Sequence, residues 1–359
     1  MLKRSISCGV LFALTTGAAL AQTTPTVASL QASAKEYADT DWAGTYLRLC
    51  QPTIPADQIN KPTVNPDDYP TTELPTPPGG TNPRPNWYAP PAKIGDNFYF
   101  LGTRIHTTFA LVSRNGEIIL IDDKFAYATE AEIFDGLRTL GLDPRKVRYL
   151  IISHAHGDHD GGAHLTQAAI PGVTVVYGTG DWPSVLARTG PHATRHGPEN
   201  DGTDGRVIRV GDVSVKIVTT PGHTPGTLSL LFEFRDLKGK RVRAAYVGGT
   251  AISFTANAAF YDLYISSARK FARAAADYKA DALLSNHTEF DNSYFKALTA
   301  ENLRVGDDDH KRRKHDHDHA RRDRDVPNPY HVGQRRVLNY MGVVELCAMA
   351  AKLRATGSL

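Results

Sequence analysis

Hydrophobic positions along this chain alternate between two spacings, one suited to strands and one to helices. Residues 97–101, 107–112 and 117–121 are short runs rich in β-branched and aromatic side chains, the composition of buried strands. The last two flank Arg114-Asn115-Gly116, which predicts a hairpin. Residues 128–140 then carry a helical period that Gly141 closes. A buried strand is expected at 147–152 and a short helix at 162–169. The scheme then repeats. Strands are predicted at 207–210, 213–219, 228–234 and 242–247, a helix at 261–278 and a strand at 282–285. Within that helix Tyr261, Tyr264 and Phe271 share a face and are assigned to the core. Strands followed by a helix, twice over, predict two similar halves whose sheets pack face to face with helices outside. The fold class is therefore α/β, a four-layer αββα sandwich, placed at residues 92–306.

The flanks read differently. Residues 27–50 resemble a helix, and 51–91 are crowded with Pro, Thr and Asn, so 22–91 is expected to be a helix followed by an extended arm. Asp307–Asp325 contains seven Asp, seven Lys or Arg, four His and one Ala. With nothing apolar to bury, it predicts a solvated loop. A sharper reading makes it a weak metal gatherer through His310, His315, His317 and His319. Residues 326–359 are expected to form a C-terminal helix, from Pro329 through Lys352, that packs on the domain.

Residues 1–21 have the layout of a signal peptide, with Lys3 and Arg4, an apolar run Val10–Leu20, and the small-x-small site Ala19-Leu20-Ala21. Cleavage near Ala21 implies a periplasmic or secreted protein. The apolar run is shorter than the roughly 20 residues of a membrane span, and no later stretch reads as one. The balance of 41 Lys+Arg against 38 Asp+Glu, net +3, gives no reason to expect nucleic acid or an acidic membrane as partner. Beyond the signal only Cys50 and Cys347 remain. They are either a disulfide or two buried thiols, and an oxidising compartment would permit the disulfide.

The chemistry concentrates in Ser153-His154-Ala155-His156-Gly157-Asp158-His159-Asp160-Gly161-Gly162. His154 and His156 are two apart, so an extended strand end points both imidazoles the same way. Asp158 and His159 follow in the turn, where Gly157, Gly161 and Gly162 let the backbone bend tightly. Three imidazoles and one carboxylate at a strand end suit zinc. His223, in Pro221-Gly222-His223-Thr224-Pro225-Gly226, and His287, after the strand at 282–285, stand at corresponding ends in the second half. His106, in the loop between the first two strands, is expected to be a solvent-facing histidine, with contact to substrate as the alternative.

In these motifs and their order, residues 87–291 resemble the metallo-β-lactamase superfamily, and most closely the third, dizinc subclass of class B β-lactamases. The resemblance implies two Zn²⁺, one held by His154, His156 and His223 and the other by Asp158, His159 and His287. It also implies that Asp122 braces the metal loop from behind. Such a centre stays net positive with a bridging hydroxide, available near neutral pH because zinc lowers the pKa of its water to about 7. That favours a small-molecule substrate carrying a carboxylate.

The strand end Tyr246-Val247-Gly248-Gly249-Thr250 lacks the metal-bridging aspartate of the superfamily's thioesterases and lactonases. It also lacks the Asp-Ser pair usual in the β-lactamase subclass, and Thr250, or else Ser253, is taken as the stand-in for that serine in contacting substrate. The expectation is an exported hydrolase acting on β-lactams, with the antibiotic resistance that this would bring. Two alternatives stay open: the same chemistry on a lactone, ester or other amide, and a metal-binding or storage protein.

Overall fold

Strands that are apolar on both faces must be covered twice, and that requirement sets the architecture. The structure, a computed structural model, describes residues 24–51, 87–188, 194–252, 256–312 and 328–359. Within these, one sheet runs β1 (Ala92–Lys93), β2 (Phe98–Phe100), β3 (Phe109–Val112), β4 (Ile118–Ile121), β5 (Val147–Ile151), β6 (Thr174–Gly178) and β7 (Asp201–Gly202), neighbours in that order. The other takes β8 (Val207–Val210), β9 (Val213–Thr219), β10 (Leu228–Arg235), β11 (Arg241–Val247) and β12 (Ala282–Ser285), again in sequence. Each starts as an antiparallel meander and then turns parallel, at β4–β5 in the first and β11–β12 in the second. Parallel neighbours need a long crossover. Helical segment 126–139 supplies the first, and the helix Ala258–Asp277 the second.

Alternation along the strands divides the core into three layers. Ile119 and Ile121 of β4 join Leu230 and Phe232 of β10 between the sheets. Ile118 and Leu120 face the other way, onto Ile133, Phe134 and Leu137 of the crossover. Leu231 and Ala245 face outward onto Tyr261, Tyr264, Phe271 and the helix Gln334–Thr356. Helices therefore cover both outer faces, and the fold is the αββα sandwich that the sequence predicts. The hairpin at Arg114-Asn115-Gly116 forms, with Gly116 at φ 80° and Ser113 N–H donating to Glu117 O at 2.9 Å.

Several expectations change. Residues 27–50 form two helices, Val27–Ala38 and Ala43–Cys50, broken where Asp39 turns to φ 46°. The break lets Trp42 Nε1 donate to Arg336 O at 2.8 Å. β6 and the helices Trp182–Leu186 and Ser293–Arg312 are additions to the sequence reading. The last of these takes in residues 307–312, assigned above to the charged loop. Helix propagation is cheap once nucleated, and the buried Ala297 and Ala300 anchor its start. The final helix starts at Gln334, after Gly333, later than expected. The expected signal peptide, residues 52–86 of the arm, Ser253 and the remainder of the charged loop lie outside the described residues. No helix among the described residues is long and apolar enough to cross a membrane.

Cys50 and Cys347 form a disulfide, Cα–Cα 4.7 Å, within the apolar layer outside the second sheet. It joins the helix Ala43–Cys50 to Gln334–Thr356 across a sequence separation of 297. Replacing both cysteines by alanine should cost about 2–5 kcal/mol in reversible denaturation. A variant as stable as the parent protein would show that the crosslink constrains nothing that matters.

Candidate metal centre

Ligand sites in α/β folds gather at the carboxyl ends of strands, and four such ends meet here. Asp122 follows β4, Ser153 and His154 follow β5, Gly248 follows β11, and Asn286 and His287 follow β12. The structure brings all six expected ligands together in two triangles. In the first, His223 Nε2 lies 3.1 Å from both His154 Nε2 and His156 Nδ1. In the second, His159 Nε2 and His287 Nε2 are 3.0 Å apart, and each is 3.2 Å from Asp158 Oδ2. Ligand atoms about 2.0–2.2 Å from a tetrahedral zinc are themselves roughly 3.3 Å apart. The triangles stand side by side, with the His154 and His159 rings 4.4 Å apart.

The hydrogen bonds behind the rings decide what the triangles can hold. His154 Nδ1 lies 2.8 Å from Gly248 O, and His223 Nδ1 lies 2.9 Å from Ala251 O. A carbonyl only accepts, so both rings carry their proton on Nδ1 and present Nε2 lone pairs to each other. His159 likewise donates from Nδ1 to Asp122 Oδ2 at 3.0 Å. Lone pairs converging at hydrogen-bond distance, as those of His154 and His223 do, repel unless a cation sits among them. The three-histidine set therefore fits zinc, and the Asp158, His159 and His287 set fits it by donor type.

Electrostatics agrees. Burial, reinforced by the neighbouring imidazoles, holds His154 well below its ordinary pKa and takes His223 down to about 3, so both are neutral ligands at pH 7. Burial works against the Asp158 carboxylate, yet His159, His287 and His106 hold it well below the usual carboxylate range. Burial also opposes charge on His159, but Asp158 and Asp122 override it and raise this imidazole to about 10.

Buried partners keep the ligands in place. Asp122 is fully buried and accepts from Ser153 N at 2.5 Å, Ser153 Oγ at 2.8 Å and Tyr246 Oη at 2.6 Å, in addition to His159. Asp181 has no counterpart in the sequence reading. It accepts from Ala155 N at 2.9 Å, Thr224 Oγ1 at 2.9 Å and Gly226 N at 2.7 Å, clamping the metal loop to the His223 turn. Its sequence setting, Gly180-Asp181-Trp182, resembles any loop, so no periodic signal could have found it. Asn286 donates to Gly248 O at 3.0 Å from the opposite side.

Three expectations are corrected here. Thr250 is fully buried, with its Oγ1 3.0 Å from Tyr340 Oη and 3.2 Å from Ser285 Oγ, so its hydroxyl faces the helix layer and is closed to substrate. His106 is 2% exposed, not a solvent histidine: it packs edge-on against Phe125, and burial holds its imidazole well below the ordinary value. Gly161 and Gly162 have ordinary negative φ of −55° and −92°. What they provide is room, because a Cβ on Gly162 would strike Thr129 Oγ1 and one on Gly161 would come within 2.5 Å of Gly157 O. The same applies at the unusual Gly248-Gly249. A Cβ on Gly248 would overlap Leu228 O, and one on Gly249 would lie 2.7 Å from His223 Cβ. The backbone presses against the ligand histidines where a side chain was expected.

Residues 102–237 match the family model described as the metallo-β-lactamase superfamily, so the chain carries a domain of that superfamily. The fold is also that of native FEZ-1 metallo-β-lactamase from Legionella gormanii, with TM-score 0.58 and 18% identity over 75% of this chain and 97% of that one. BJP-1, a subclass B3 metallo-β-lactamase of Bradyrhizobium japonicum, matches with TM-score 0.53 and 21% identity over 72% and 93%. Curated relatives include a probable metallo-hydrolase of Burkholderia pseudomallei, 28% identical over 38% of this chain and 51% of its own length. A hydroxyacylglutathione hydrolase of Anaeromyxobacter dehalogenans is 30% identical over 26% and 31%. The chain thus spans about half or less of the length of these two relatives.

Asp181→Ala should weaken zinc at the three-histidine triangle by about 10–100-fold, read by chelator competition, and unchanged affinity would remove the clamp from the account. The pH dependence follows from His159. Its folded pKa lies above the ordinary 6.5, so in metal-free protein its stabilising charge is complete below about 6.5 and lost as pH rises through about 10. Zinc must displace that proton. Loading at pH 8 should release about two protons into a weakly buffered indicator solution, one from His159 and one from zinc-bound water, and release of only about one would contradict the assignment.

Proposed function

We propose that the chain is an exported, zinc-dependent hydrolase that opens a cyclic amide, with β-lactams as the leading substrate. The observation that carries this reading is the pair of adjacent ligand triangles at the sheet edge. Zinc bound there supplies a Lewis acid and lowers the pKa of its water to about 7. The protein's own groups do the rest. Asp158, ionised and partly exposed, would orient water lying between the two triangles. His156 is exposed, and His223 and His287 are half-buried, so the cleft is open on the triangle side. Phe125 and Tyr127, stacked at 5.3 Å, flank the metal loop with an apolar wall for the substrate body. A cationic floor favours a substrate carboxylate. Export is supported by the signal-like start and by the disulfide, which persists in oxidising compartments.

A second reading is thioester hydrolysis, favoured by the hydroxyacylglutathione hydrolase among the relatives. Against it, Gly248 stands where that branch carries its metal-bridging aspartate, and the packing there leaves no room for a side chain.

Nitrocefin, a lactone panel and a glutathione thioester, each with and without chelator, separate the readings. Chelator-sensitive nitrocefin turnover is expected in the periplasmic or secreted fraction, with Asp158→Ala lowering kcat at least about 100-fold while the protein stays folded. Thioester turnover with no lactam turnover would overturn the β-lactam assignment.

A further inference from the structure

We propose that His106 is a fourth protein ligand of the second metal position, beside Asp158, His159 and His287, leaving the three-histidine position as the one open to substrate. This rests on reading the triangles as metal sites.

The loop that carries His106 is fixed to the turn that carries His287. Thr107 N donates to Asn286 O at 2.9 Å, and Thr288 N donates to Ile105 O at 2.7 Å. His106 and His287 themselves pair as an isolated antiparallel bridge. Thr288 Oγ1 adds a bond to Arg104 O at 2.6 Å. Backbone pairing, which does not depend on any metal, therefore delivers the two imidazoles to the same place. Their ring centroids are 4.9 Å apart, matching the 5.0 Å between His159 and His287. The His106 ring stands 6.0 Å from that of His159. Two imidazoles sharing one zinc through Nε2 have centroids roughly 5–6 Å apart, given zinc–nitrogen bonds of about 2.0–2.1 Å.

The ring's own contacts point the same way. Thr103 Oγ1 accepts from His106 N at 2.9 Å and lies 3.5 Å from Nδ1, which keeps the Nδ1 edge toward the loop. One side packs against Phe125, centroids 5.4 Å apart, an apolar neighbour. Nε2 is left facing Asp158 Oδ2 at 3.6 Å. That is too long for an ordinary N–H···O bond and close to the roughly 3.3 Å between two ligands of one zinc. Moreover Oδ2 already faces His159 and His287. The side-chain ligand atoms of His106, Asp158 and His287 all lie within 4.8 Å of one another.

The consequence is a division of labour. Zinc sites with four protein ligands are closed and structural, whereas those with three keep a position for water or substrate. The second metal then fixes Asp158 and the loop, and substrate meets the first.

The test begins with unaltered protein, loaded with an NMR-active cadmium isotope and carrying heavy-nitrogen histidine. The second cadmium should couple to three imidazole nitrogens. Coupling to two, with both cadmium ions bound, overturns this proposal alone, and no cadmium uptake overturns the metal reading itself. His106→Gln retains an amide donor near the Nε2 position. Zinc at the second position should weaken at least about 100-fold in that variant, beyond the usual effect of a supporting residue. The first position should be unchanged, and the absorption spectrum of the cobalt-loaded protein should shift. Parental affinity and spectrum in His106→Gln would mean that His106 only hydrogen-bonds Asp158, and would overturn the proposal.

Discussion

A carboxylate sealed between two sheets is costly unless hydrogen bonds replace its lost water, and the site is built around one such group. Asp122 holds the backbone and hydroxyl of Ser153, the ring of His159 and the hydroxyl of Tyr246. These groups come from the end of β5, the metal loop and β11 of the opposite sheet, so one side chain aligns both halves of the sandwich. Asp122 also takes φ 61°, uncommon for a residue with a Cβ. A strained backbone of this kind persists only where its surroundings over-determine it, and four accepted bonds do so here. The ligand triangles therefore depend on the packing of the sheets as much as on the ligands.

The ligand histidines were legible in the sequence because His154, His156, Asp158 and His159 lie within six residues, and because His223 and His287 occupy equivalent strand ends. The two-cycle alternation of strands and helix likewise carried the fold. What escaped was contributed by tertiary contact. Asp181 acts through a carboxylate whose three partners come from two distant loops. His106 looks like a solvent histidine until backbone pairing with the His287 turn buries it. Thr250 was assigned from a position in a motif, but the glycines before it bring the backbone against His223 and leave its hydroxyl under Tyr340. Ser293–Arg312 was hidden because the buried positions described in it, Ser293, Ala297 and Ala300, are small and give a weak hydrophobic period.

The outer helix layer is tied to the chemistry as well. Tyr340 of the helix Gln334–Thr356 reaches Thr250 just past β11, and Thr250 reaches Ser285 at the end of β12. The same helix carries Cys347, and Trp42 and Tyr340 meet edge to face at 5.2 Å. The helices at both ends of the described chain thus clamp the two strand ends that present Gly248 and His287. A crosslink in that layer limits how far the second half of the site can open.

The most direct measurement is a crystal structure with anomalous data on both sides of the zinc absorption edge. The account predicts two peaks, one within the triangle of His154, His156 and His223, the other within that of Asp158, His159 and His287. A zinc-supplemented crystal with these side chains ordered and no peak at either position would contradict it.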